Sequence, residues 1–289
     1  MTDGTESKIL ERLEAWERQD GSLPKSLEFY RRLLCIQSKA KSRINVPGLG
    51  LNSEVITNRA KTGQPLLEFD DLSIDWLLVR DILEEVAALF SGHSEISAEM
   101  PVNLKDSDSS VVACLKEVTK IWFEGAQLPA WIAVSGANET FWEFMMPAAL
   151  RPFLTSHCKA LLSSVNQESW RRGHCPICGG SPDFAFLDKE RGARWLLCSQ
   201  CDAEWLFQRL ECPYCGTQDQ DAMAYFTDDK GIHRLYVCEH CRHYLKAIDL
   251  RQIEGEALLP LERWLTLDID AQAQKDGYSP GTKTREVKR

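Results

Sequence analysis

The sequence has no apolar run approaching the roughly 20 residues needed to cross a bilayer. Its longest such stretches, Leu128 to Val134 among them, are far shorter. It opens Met1-Thr2-Asp3-Gly4-Thr5-Glu6, without a basic start or an apolar core, so no secretory leader is expected. It has no excess of positive charge: 34 Lys and Arg stand against 43 Asp and Glu, a formal net charge of −9. That sign argues against general affinity for nucleic acid or for an anionic membrane surface. Catalytic signatures are missing too: no Gly-rich phosphate loop follows a strand, and there is no Gly-x-Ser-x-Gly elbow or His-Glu-x-x-His. Paired carboxylates, Asp70-Asp71 and Glu84-Glu85, read as solvated faces. The expectation is a soluble, cytoplasmic protein that is not an enzyme, binds no nucleic acid and inserts in no membrane.

What is present is sharply divided. The 289 residues are 44% hydrophobic, enough for a sizeable core and about two domains. Residues 1–167 carry helical periodicity. Residues 1–7 look frayed; Ile9, Leu10, Leu13 and Trp16 then share a face, and Pro24 opens a second helix. Pro47-Gly48-Leu49-Gly50 and Gln64-Pro65 read as breaks. Ser73 is a candidate N-cap for an amphipathic helix from Trp76 to Phe90 that Gly92 closes. Ser109 to Gly125 repeats the pattern, and Asn138 to about Gln167 continues it, with Pro147 and Pro152 predicting kinks or two shorter helices.

After Trp170 the texture changes. Short β-prone runs, Ala193 to Leu197, Ala203 to Leu210, Ala222 to Thr227 and His233 to Val237, alternate with turn residues. A single last helix is expected from about Leu259 to Ala273, then a disordered basic tail from Thr282 to Arg289.

Eight of the eleven cysteines fall between Cys175 and Cys241 as four Cys-x-x-Cys pairs. Cys175 and Cys178 are followed after 19 residues by Cys198 and Cys201; Cys212 and Cys215 are followed after 22 by Cys238 and Cys241. The first is metal-ribbon spacing and the second slightly longer. Two intervening residues let one tight turn aim both sulfurs at a single ion, and two such turns complete a tetrahedron. Gly179 and Gly216 ease the positive φ that such a turn needs. The reading is two metal ions in two four-cysteine sites that resemble an internal duplication, with iron and zinc both suited to four thiolates. His174, His233, His240 and His243 are read as neighbours and not ligands, since eight thiolates already fill two closed sites. Trp195, Trp205, Phe207, Tyr225, Phe226 and Tyr236 are read as ordinary core, and Cys35, Cys114 and Cys158 as buried structural thiols.

Two other uses of these cysteines compete with metal binding. Cys212-Pro213-Tyr214-Cys215 is a glutaredoxin-type sequence, but a redox dithiol sits at a helix N-terminus, and Gly216, Thr217, Asp219 and Asp221 start no helix. A nucleic-acid-binding ribbon needs a basic stripe, yet residues 171–250 hold 12 acidic against 10 basic side chains.

The run Trp170-Arg171-Arg172-Gly173-His174-Cys175-Pro176-Ile177-Cys178-Gly179 resembles the metal region of the FdhE family of formate dehydrogenase accessory proteins. So do Leu197-Cys198-Ser199-Gln200-Cys201-Asp202-Ala203-Glu204-Trp205 and Cys238-Glu239-His240-Cys241-Arg242-His243-Tyr244-Leu245-Lys246. Weaker matches lie at Gly63-Gln64-Pro65-Leu66-Leu67 and from Leu267-Asp268-Ile269 through Gly277-Tyr278. The resemblance implies an α+β chain: a helical domain (1–167), two tandem rubredoxin-like or zinc-ribbon modules (168–206 and 207–250), and a C-terminal helix with a tail (251–289). It implies a chaperone-like factor for formate dehydrogenase maturation that binds the catalytic subunit. The metal would be rubredoxin-type iron or zinc, and a thiol–disulfide, sulfur-transfer or electron-transfer role for the Cys-x-x-Cys pairs is the alternative.

Overall fold

The computed structural model of the chain describes residues 2–46, 51–92, 109–125 and 139–282. The Pro47–Gly50 break, the Leu128–Val134 stretch and the tail beyond Thr282 lie outside them. Among the described residues six helices come first: α1 (Thr2–Asp20), α2 (Lys25–Lys41), α3 (Ser53–Thr62), α4 (Trp76–Ser91), α5 (Ser109–Glu124) and α6 (Glu139–Leu161). Six strands follow: β1 (Pro182–Leu187), β2 (Arg194–Cys198), β3 (Glu204–Phe207), β4 (Met223–Thr227), β5 (His233–Cys238) and β6 (His243–Asp249). Helices α7 (Leu259–Leu265) and α8 (Leu267–Lys275) and a two-residue strand β7 (Ser279–Pro280) close the chain. Among the described residues no helix is long and apolar enough to cross a membrane.

The backbone gathers into two compact units. One holds α1, α2, α4, α5 and α6 as far as His157; the other holds α3, Leu66-Leu67 and everything described from Cys158 on.

In the helical unit, apolar residues three and four apart make each helix bury one face. Ile9 and Leu13 of α1, Val79, Leu83 and Val86 of α4, and Leu115 and Val118 of α5 are almost completely buried. The chain is helical from Thr2, so residues 2–7 are wound and not frayed. Asp75, not Ser73, caps α4: its carboxylate accepts from the backbone N–H groups of Leu77 and Leu78, 3.1 Å each. Pro147 and Pro152 both lie inside one helix, α6. Pro152 has no N–H to give the carbonyl of Ala148. The buried Gln37 side chain donates to that oxygen instead, at 2.9 Å, so the helix continues. Cys35 is exposed and Cys114 half-buried, contrary to the expectation of buried thiols; only Cys158 of these three is buried. Cys35 sits on α2 among Leu33, Leu34 and Gln37, which take the inward positions.

In the second unit one sheet runs β3-β2-β1-β6-β5-β4, with β7 beside β6. Two antiparallel three-stranded meanders are joined by a parallel seam, Phe184 to Leu187 of β1 against Lys246 to Asp249 of β6. The cysteine modules therefore share one continuous sheet. Phe184, Phe186, Leu197 and Ile248 form a core with Leu259 of α7; Leu235, Val237 and Tyr244 form another with Ala273 of α8. The expected single C-terminal helix is two. The buried Lys246 ammonium donates to the carbonyls of Arg263 (2.9 Å) and Thr266 (3.2 Å), taking oxygens a continuing helix would use, and its charge meets Asp270. Trp205 and Phe207 are buried as expected, whereas Tyr225 and Phe226 are 55% and 59% exposed because β4 is an edge strand.

Candidate metal centres

Each Cys-x-x-Cys pair is a tight turn, and the turn geometry follows from its residues. In the first, the Gly179 N–H donates to the Cys175 carbonyl (3.0 Å) and the Cys175 N–H to the Gly180 carbonyl (2.9 Å). In the third, the Gly216 N–H donates to the Cys212 carbonyl and the Cys212 N–H to the Thr217 carbonyl, 2.9 Å each. Gly179 and Gly216 have φ of +75° and +73°, left-handed backbone that glycine adopts without cost. The other two turns need the same conformation but use side-chain-bearing residues, Asp202 (φ +56°) and Arg242 (φ +57°). Both are anchored. Asp202 accepts from the Arg263 guanidinium at 2.6 Å. Arg242 pairs with Glu239 and lies 4.1 Å from the centre of the Tyr278 ring. The sequence signal for these anchors is their position directly after Cys201 and Cys241, which matches that of Gly179 and Gly216 but lacks the glycine.

The turns bring Cys175, Cys178, Cys198 and Cys201 into one group and Cys212, Cys215, Cys238 and Cys241 into another, with all sulfurs of a group within 4.8 Å of one another. Across the first group, Cys175–Cys201 is 3.6 Å and Cys178–Cys198 is 3.5 Å. Across the second, Cys212–Cys241 and Cys215–Cys238 are 3.7 Å. A disulfide needs about 2.0 Å between sulfurs. A tetrahedron of sulfurs around an ion at about 2.3 Å has edges of about 3.8 Å. The spacing therefore fits a four-thiolate ion. None of the four nearby histidines belongs to either group; the His174 ring meets the Gly63 carbonyl at 3.2 Å, and His233 bridges Asp228 and Glu262.

The electrostatics agree. In the first group the N–H groups of Ile177 and Cys178 point at the Cys175 sulfur (3.4 and 3.5 Å), that of Gly180 at Cys178 (3.4 Å) and that of Gln200 at Cys198 (3.4 Å). Such N–H groups stabilise thiolate charge and are the usual outer shell of a metal site. Burial pushes the Cys175 and Cys201 thiols well above their ordinary range. It pushes Cys212 up to about 11 and raises Cys241 as well. At Cys238 burial also acts upward, but the N–H groups of Cys241 and His240 outweigh it and the pKa falls. Left to themselves Cys175, Cys201, Cys212 and Cys241 would hold protons; a divalent cation would supply the charge that makes them thiolates.

Two further features hold the first group. Leu66 and Leu67 donate backbone N–H groups to the carbonyls of Pro176 and Ile177, 2.8 and 2.9 Å, inside the first turn. Both leucines are 2% exposed. Arg263 reaches Asp183 (2.8 Å), Asp202 (2.6 Å) and the Cys198 carbonyl (2.6 Å), tying the second turn to α7. Gly173, just before the first turn, lies against the third: a Cβ there would stand 2.0 Å from the Pro213 oxygen.

Paired cysteine turns at the ends of a meander, repeated and fused through a parallel seam, define a zinc-ribbon, or rubredoxin-like, metal-binding protein. Residues 174–209 match the family model described as FdhE, central domain. The chain is 32% identical over 148 residues to a protein FdhE homolog of Aquifex aeolicus, spanning 50% of this chain and 51% of that one. It is 28% identical over 255 residues to a protein FdhE homolog of Pseudomonas aeruginosa, 81% and 75% of the two chains. The crystal structure of the FdhE protein from Pseudomonas aeruginosa shares the fold, with TM-score 0.55 and 22% identity over 98% of this chain and 95% of that one. These matches make residues 174–209 similar to the FdhE central domain and give the chain the fold of an FdhE protein. The match spans about half the length of the Aquifex relative.

Proposed function

We propose that this protein is a chaperone-like accessory factor for formate dehydrogenase, acting in the cytoplasm and binding the catalytic subunit of that enzyme through its metal-ribbon sheet. It performs no reaction of its own. Two modules, residues 168–206 and 207–250, would each hold one ion, with Cys175, Cys178, Cys198 and Cys201 as ligands in the first and Cys212, Cys215, Cys238 and Cys241 in the second. The observation that carries this reading is the pair of four-sulfur groups at tetrahedral spacing in a chain whose residues 174–209 match the FdhE central domain. Four thiolates leave no open coordination position, which favours a structural or electron-carrying ion over a hydrolytic one. When bound, zinc or iron cross-links two turns, and its binding energy becomes folding energy.

Elemental analysis and a visible spectrum of protein purified without oxygen test the sites. Two ions per chain are expected, and a red colour on air exposure marks iron; a metal-free folded protein would end the reading. Capture of purified formate dehydrogenase catalytic subunit tests the partner. The competing thiol–disulfide reading of Cys212-Pro213-Tyr214-Cys215 meets a turn whose next residues do not start a helix. Thiol titration separates the two, since a redox pair reacts fast in the native protein whereas metal-bound thiols react only after the ion is stripped.

A further inference from the structure

The sheet has two outer edges, and they are treated differently. On β3 the Gln167 side chain closes the edge: its Oε1 accepts from the Leu206 N–H at 3.2 Å and its Nε2 donates to the Glu204 carbonyl at 3.4 Å. On β4 no strand or side chain among the described residues does this; its only ladder partner is β5. Proteins usually blunt such an edge with lysine, proline or a bulge. β4 reads Met-Ala-Tyr-Phe-Thr, in register throughout, with the last four residues exposed.

A cavity of about 250 Å³ adjoins this strand, lined by Met223, Tyr225, Tyr236, Leu210 and Arg194 and reaching Cys212 and Cys238 of the second sulfur group. Small-molecule sites run from about 300 Å³ upward; this one fits a side chain better than a nucleotide. Arg194 is 3% exposed. Its Nη2 donates to the backbone carbonyls of Gln208 and Glu211, and its guanidinium lies 5.2 Å from the Phe207 ring centre and 5.6 Å from that of Tyr236. Among the described residues its Nε has no hydrogen-bond partner. The nearby Glu211 carboxylate instead accepts from Gln218. Burial lowers the Arg194 pKa to about 10, against the upward pull of Tyr236, Cys212, Tyr214 and Glu211. Arg209 also lines the cavity.

We propose that the free edge of β4 and the adjoining cavity form one docking site for an extended segment of a partner polypeptide, which adds as a strand, places a large apolar side chain in the cavity and brings a carboxylate to Arg194. The backbone of β4 supplies ladder hydrogen bonds for any sequence, and the pocket and the arginine supply selectivity. This rests on the client-binding reading above and locates it on the molecule.

The test uses the full metal-loaded chain and purified formate dehydrogenase catalytic subunit. The double variant Tyr225→Lys/Phe226→Lys should weaken binding at least about tenfold, as expected for removing interface aromatics. Leu77→Lys, which charges an exposed apolar residue of the helical unit, should bind as the parent does. Two ions per chain and an unchanged melting temperature for Phe226→Lys alone establish that the strand is intact. A photo-cross-linker at position 226 should capture a segment with a large apolar residue within two positions of an acidic side chain or a chain terminus. Parent-like binding by the double variant, or a cross-link to a segment without that pattern, overturns the docking site and leaves the accessory role standing. Failure of the parent chain to bind the subunit removes both.

Discussion

The two four-cysteine groups are alike in spacing and unlike in surroundings. All four cysteines of the first are buried; in the second, Cys215 and Cys241 are only half-buried. The first is clasped by Leu66 and Leu67 and strutted by Arg263, and the adjacent β3 edge is shut by Gln167. The second opens on a cavity and on the bare edge of β4. The same four-sulfur geometry thus sits in two settings. One group is tied into the unit by its neighbours, and the other borders a cavity and an open strand edge.

The largest break in this comparison comes from removing one ligand on each side. Structural four-thiolate zinc is worth about 10–16 kcal/mol of apparent binding energy, as much as a typical domain's whole stability. Cys178→Ser is expected to lose its ion and melt the second unit, seen as lost strand signal in circular dichroism and as aggregation. Cys215→Ser should lose one ion and keep β1, β2 and β3 protected in hydrogen exchange. Equal loss from both would erase the distinction drawn between the groups.

Much of this was legible in the residues, and the exceptions have physical reasons. Helices α4 and α5 bury a single apolar stripe, so periodicity marked them. The eight cysteines announce their grouping through spacing alone. The strands β1 and β6 escaped notice because both faces are covered, which removes alternation, and because β6 carries Lys246 and Asp249, charges satisfied by Asp270, Arg234 and Arg251. Helix α3 buries none of its own residues; only its Asn52 cap (2.8 Å to the Val55 N–H) marked it. Tyr225 and Phe226 look like core because their chemistry is that of core, and their exposure depends on strand order, which no local pattern encodes.

A smaller effect is expected at Arg263. Its replacement by Met keeps the bulk but leaves Asp183 and Asp202 without their cation, and the left-handed Asp202 without its anchor. Removing one partner of a buried pair costs about 3–5 kcal/mol; the partial exposure of both aspartates, 28% and 15%, sets the lower end. The midpoint of urea unfolding should fall accordingly, and the first ion should become the faster of the two to reach a chelator. An unchanged order of release would show that the clasp at Leu66-Leu67 suffices. Smaller again is Gln167→Ala, which opens the β3 edge. About 1 kcal/mol should be lost, with self-association appearing in light scattering, since a bare edge invites pairing.

The smallest expected effect lies on the second side and depends on pH. His233 sits on β5 between two carboxylates: Nδ1 is 3.1 Å from Asp228 and Nε2 3.1 Å from Glu262 of α7. The hydrogen bond to Glu262 chiefly raises its pKa, against the downward pull of burial, and Asp228 adds to it. A base whose folded pKa lies above its unfolded value near 6.5 gives its full stabilisation below that value. It loses that stabilisation as pH rises through the folded pKa. Asp228, whose pKa is lowered by backbone and His233 hydrogen bonds that outweigh burial, stays ionised throughout this window and so does not reverse the sign. The stability gap between the parent chain and His233→Gln should therefore be on the order of 1 kcal/mol near pH 6 and shrink toward pH 9. Chemical denaturation at the two pH values measures it. A gap that widened on raising the pH would mean that neutral His233, held by hydrogen bonds alone, is what links the β4–β5 hairpin to α7.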